Sequence, residues 1–166
     1  MWNLQEPSPN DALTDEMVGE AESVLGVSLS ADYVAALKQK NGGSTLGNYF
    51  KLPKQFVPSH LRGFVDHGYT SIDEINGIGQ THVSVLNTPY MTDEWGLPTG
   101  FVLLDGDGHT WTAFDYRTNK ANPTIVFLDS ESGDTLYVAE GFLQFFSSLV
   151  PHEALFDDEG EYIGPA

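Results

Sequence analysis

Residues 101–116 read FVLLDGDGHTWTAFDY, and this stretch decides the fold. Residues 101–104 are an apolar run of strand-forming types. Asp105-Gly106-Asp107-Gly108 follows, and its Asp-Gly pairs suit the backbone of a tight turn. Residues 109–116 then leave the turn as a second strand. The spacing predicts an antiparallel hairpin. Two more strand runs follow at residues 124–128 and 135–138, separated by the turn Ser132-Gly133-Asp134, so the hairpin extends into a meander.

Helical signals lie on both sides. Upstream, Thr14 is placed to cap a helix whose first turn holds Asp15 and Glu16, where the helix dipole favours acids. Met17, Val18, Ala21, Val24 and Leu25 repeat at helical spacing and predict one buried stripe. Gly26 suits the position just past the end of that helix. Ser30 caps a second helix carrying Tyr33, Val34 and Leu37, which Asn41-Gly42-Gly43 stops. Downstream, Phe142, Phe145, Phe146 and Leu149 mark a last helix before Pro151.

The intervening segments give weaker signals. Residues 49–52 read as a strand stopped by Pro53, residues 54–70 as an irregular excursion, and residues 83–86 as a strand. Residues 92–96 read as a single helical turn. Strands grouped between helices make the fold class α+β: a largely antiparallel twisted sheet, with the N-terminal helices and the C-terminal helix packed on one face. The expected organisation is an arm at 1–13, a domain at 14–150 and an acidic tail at 151–166, with Tyr162-Ile163 as its anchor.

Charge narrows the function. Of 166 residues, 24 are Asp or Glu and 7 are Lys or Arg, for a formal net charge of -17. All seven bases fall between Lys38 and Lys120. Residues 1–37 and 121–166 hold sixteen acids and no base. Such a surface repels nucleic acid and anionic lipid, and it attracts basic partners. The chain has no cysteine, so disulfides, thiolate metal sites and thiol nucleophiles are excluded. With no secretory leader pattern and no long apolar span, a cytoplasmic location is expected.

No catalytic, cofactor or metal-binding residues emerge. The five histidines show no zinc spacing. Asp105-Gly106-Asp107-Gly108 resembles the start of a calcium loop, but a Glu is needed at the twelfth position and Tyr116 stands there. Gly77-Ile78-Gly79 lacks the third glycine of a dinucleotide fingerprint. Trp95 and Trp111 read as core residues.

Four segments resemble the SUKH superfamily, which groups bacterial toxin-immunity proteins with a yeast cell-wall synthesis regulator. They are residues 21–33 running on to Asn41-Gly42-Gly43; Gly77-Ile78-Gly79; Glu94-Trp95-Gly96-Leu97-Pro98 with the strand and turn after it; and Asp115-Tyr116 through residues 126–129 to the phenylalanine-rich helix. Ser30 stands where the family commonly has proline. The resemblance implies helices on a sheet, no catalysis, no cofactor and a binding role. The partner it implies is a cognate polymorphic toxin, many of which are nucleases; the acidic charge adds that the toxin's surface is basic and that neither nucleic acid nor membrane is the partner. A regulatory or scaffold module of the same fold is the second reading, and a small-molecule or metal-dependent enzyme the third. Acid density beside loop tips makes Asp73, Glu74, Asp93, Glu94, Asp105 and Asp107 the expected partner-binding residues.

Overall fold

Local chemistry sets the first two helices. The computed structural model describes residues 1–166. Helix α1 (Asp15–Leu25) starts where the Thr14 hydroxyl accepts the Met17 N–H, and it ends at Gly26, whose φ of 67° is left-handed. Helix α2 (Ala31–Leu37) starts where the Ser30 hydroxyl accepts the Tyr33 N–H. The predicted stripe of α1 is only partly right. Ala21 is buried and Met17, Val18 and Leu25 pack against the core, whereas Val24 is 62 % exposed.

Strand β1 (Tyr49–Lys51) pairs antiparallel with β2 (Tyr69–Ser71). The chain enters β2 through a two-residue turn. Asp66 and Tyr69 exchange backbone bonds of 2.8 Å in each direction, with His67 at φ 49° and Gly68 at φ 84°. Positive φ at both central residues is the turn whose twist matches a hairpin. Residues 83–86, expected as a strand, instead lead into a 3-10 turn at Val85–Asn87. The turn begins where the Ser84 hydroxyl accepts the Leu86 N–H, which diverts the backbone from extended pairing. It runs into helix α3 (Thr88–Trp95), closed by left-handed Gly96. This helix is longer than the single turn expected, because Pro89 suits its first turn instead of breaking it.

Strands β3 (Phe101–Gly106), β4 (Thr110–Asp115), β5 (Thr124–Asp129) and β6 (Thr135–Ala139) form the meander in that order. Helix α4 (Phe142–Ser147) follows. Both faces of the sheet are buried, which explains why β3 reads as an unbroken apolar run. One face carries Phe114, Phe127 and Leu104 against Tyr33, Phe50, Phe142 and Phe145. Tyr33 meets Phe114 and Phe142 edge-on, each at 5.1 Å, pairs worth roughly 0.5–1.5 kcal/mol beyond their burial. The other face carries Leu103, Trp111, Val126 and Leu128, covered by Leu97 and Met91. The N-terminal helices and α4 thus pack on one face as expected, and α3 with the residues after it covers the second.

The N-terminal end lies against this core, and the C-terminal end closes a small cluster of its own. Trp2 is buried and its indole donates to the Ala36 carbonyl at 2.9 Å. Leu155 and Phe156 are buried with Tyr69. Tyr162 stacks on His67 at 4.1 Å, while Ile163 is exposed.

Candidate functional site

The glycine motifs quoted from the sequence meet at one place, and their work there is structural. Asn41 is buried. Its Nδ2 donates to the carbonyls of Asp11 and Ile78, and its Oδ1 accepts the Ile78 N–H at 2.8 Å. Asn10, also buried, donates to the carbonyls of Asn41 and Val83. A side chain on Gly77 would strike Asn41, and one on Gly79 would strike Asn10. Asn41-Gly42-Gly43 and Gly77-Ile78-Gly79 thus interlock through two asparagine side chains, packed too closely for a Cβ at Gly42, Gly77 or Gly79. This lock fixes residues 77–79 against residues 41–43 and so anchors one end of the loop that carries Asp73 and Glu74.

The open edge of β3 is covered by the same loop. Asn76 donates its backbone N–H to the Leu104 carbonyl at 2.7 Å and its side chain to the Leu103 carbonyl at 2.9 Å. The register of β3 on β4 shifts between Leu103 and Asp105. A bulge there re-aims the next side chain, and Asp105 turns to accept the Asp73 N–H at 3.0 Å. Burial pushes the Asp105 carboxyl up to about 6, with backbone N–H donors opposing the rise and the Asp73 charge adding to it. Asp107 sits in the hairpin turn, where one carboxylate oxygen accepts the N–H groups of His109 and Thr110, each at 2.9 Å. That bonding explains the Asp-Gly repeat as turn chemistry.

The structure divides the six expected acids into two sets. Asp73, Glu74, Asp105 and Asp107 surround two adjoining clefts of about 190 and 290 Å³, both walled by Trp111. Asp93 and Glu94 lie exposed on α3, and Asp93 opens onto a different groove. Trp95 links the regions. Its ring packs over Gly108 and meets His109 edge-on at 5.7 Å. At 40 % exposure it is a surface residue, not the core residue expected, because α3 ends beside the hairpin tip and leaves one side of the ring in solvent. His82, which no motif marked, also lines the smaller cleft.

Few of the acids are neutralised. Only Asp15 and Asp115 have a lysine or arginine partner, Lys38 at 2.9 Å and Arg117 at 2.7 Å. Arg117 also lies over the Phe101 ring. Lys40 is buried and donates to the Asn3 carbonyl at 2.7 Å, so it neutralises no acid. Two histidines also meet acids: His60 lies 3.2 Å from Asp134 and 3.5 Å from Asp129, and His67 lies 2.7 Å from Asp66. No group of three or more metal-ligating side chains converges, and no helix is long and apolar enough to cross a membrane.

The chain is an acidic α+β domain whose motif residues are spent on its own backbone, with clefts beside carboxylates that have no lysine or arginine partner. A family model described as SMI1-KNR4 cell-wall matches residues 15–146, and the chain belongs to this family of the SUKH superfamily. The family is generally non-catalytic, and membership fits a binding domain of the immunity or regulatory kind. No curated protein matches the chain.

Proposed function

We propose that this chain neutralises a cognate toxin by binding it one to one and occluding its working surface. The observation that carries this reading is the unpaired acid surface around the Asp105 clefts, on a fold of the SUKH family. A toxin that acts on phosphates presents a basic cleft, and an acidic inhibitor competes for it. Of the six acids, Asp73, Glu74, Asp93 and Glu94 make no side-chain bond within the fold and are free to meet cations. Asp107 and Asp105 each already accept backbone N–H groups. Long-range charge steers the encounter, and exposed rings such as Trp95 supply the anchoring.

The test is a pull-down from the source organism with this chain as bait, read by mass spectrometry at low and high salt, followed by co-expression. A salt-sensitive basic protein that stops growth alone, and fails to when this chain is present, supports the reading. Recovery of housekeeping factors that are not toxic sinks it. A regulatory module acting on such factors is the second reading, favoured by the cell-wall description of the matched family.

A further inference from the structure

Val24 and Tyr90 are apolar side chains left in solvent at 62 % and 64 % exposure, on two neighbouring helices. Val24 closes an exposed α1 stripe with Glu16 and Glu20, since positions four apart share a helix face. Tyr90 shares a face of α3 with Asp93 and Glu94, three and four positions on. Between the helices runs a groove of about 310 Å³. Val24, Leu25 and Val27 form one wall, and Pro89, Thr92 and Asp93 the other. Farther back along α1, Met17 and Glu20 border a second groove of about 380 Å³ with Gly79 and Leu86. The two grooves thus flank successive parts of α1, and their acids Asp11, Glu20 and Asp93 have no lysine or arginine partner. Lys120 is the one cation lining either groove.

From this arrangement we infer that the α1–α3 face docks an amphipathic helix of a partner protein. That helix carries aliphatic side chains along one edge and Lys or Arg beside them. An apolar groove with an acidic rim complements this pattern, with aliphatic anchors seated between the helices and ammonium or guanidinium groups on Glu16, Glu20, Asp93 and Glu94. A second copy of this chain does not fit, because each molecule carries a charge of -17. Helix α1 has 11 residues, about 16 Å, which gives a docked helix room for about three turns. The inference rests on the protein-binding reading above and adds a second contact region to the Asp105 clefts.

The test uses the full chain, isotope-labelled for NMR, and a synthetic Leu/Lys peptide of about 14 residues that is amphipathic as a helix. A scrambled peptide of the same composition is the control. The expected result is shifts confined to residues 16–27 and 88–101. Affinity should fall about tenfold or more in Val24→Arg and in Glu20→Lys, and stay unchanged in Asp158→Lys, an exposed acid outside both grooves. Shifts centred on residues 73, 74 and 107, or equal binding of the scrambled peptide, overturn the inference. Growth protection by the same variants separates the two claims. Protection that persists when Val24→Arg abolishes peptide binding removes the groove and leaves neutralisation standing. Peptide docking in the groove by a chain that protects against no toxin removes neutralisation alone.

Discussion

Gly77 has no side chain because Asn41 occupies the place where one would go. At Gly42 the conflict is double: φ is 91°, and a Cβ would lie 2.7 Å from the Gly77 nitrogen. Gly42→Ala and Gly77→Ala should each destabilise the fold by about 1–3 kcal/mol, read as a lower denaturant midpoint. Gly19 is the contrast. It lies within α1 with open space around it, so Gly19→Ala should stabilise by about 0.5–1 kcal/mol. Asp105 gives a prediction in pH. Its folded value of about 6 lies above the ordinary 3.8, so the folded state keeps a proton that the unfolded chain releases. Stability therefore falls as pH rises from about 4 to 6, and above that the ionised group costs on the order of 3 kcal/mol at most. Asp73, Glu74 and His82 line the same cleft. Asp105→Asn stays neutral and can still accept the Asp73 N–H. It should melt higher than the parent at pH 7, with the difference shrinking toward pH 4. A gain equal at both pH values would show that burial of charge is not the cause. At this scale the sequence marked the right glycines, but it could not say what they face, because Asn10 and Asn41 meet only in the folded chain.

Elements with strong local signals were legible, and those decided by their neighbours were not. Thr14, Gly26 and Ser30 marked helix ends that the structure keeps, since capping involves residues a few positions apart. The hairpin was readable from its turn for the same reason. Residues 83–86 alternate like a strand yet turn tightly, because the Ser84 hydroxyl bonds locally. The excursion at 54–70 had no readable pattern because its contacts are distant. Gln55 illustrates this. Its side chain donates to the Tyr137 carbonyl at 2.7 Å and accepts the Tyr137 N–H at 2.9 Å, standing in for a neighbouring strand on the free edge of β6. An uncovered edge invites pairing between molecules. Gln55→Ala should lower stability by about 1 kcal/mol and raise the concentration dependence of light scattering at temperatures below the melt. A variant that loses stability without associating would show that Gln55 braces the loop and does not guard the edge. The candidate site follows the same division. The acid density was visible in the chain, but the separation of Asp93 and Glu94 from the other four depends on where α3 packs.

For the whole molecule, the charge of -17 acts with opposite signs on the fold and on the proposed complex with a basic partner. Within the free protein the unpaired acids repel one another, and only Asp15 and Asp115 have a lysine or arginine to offset them. Raising salt toward 0.15 M shortens the screening length to about 8 Å and relieves that repulsion. The free protein should therefore melt higher, by about 2–4 °C for each kcal/mol relieved. Association with a basic partner runs the other way, because the same salt screens the attraction that speeds encounter. The on-rate should drop steeply with salt while the off-rate, set by the anchors, changes little. Stopped-flow binding and thermal melts over one salt series separate the two effects. A partner whose on-rate is indifferent to salt would mean that apolar contact selects it, and the acids would then serve only to keep this chain soluble and apart from its own copies.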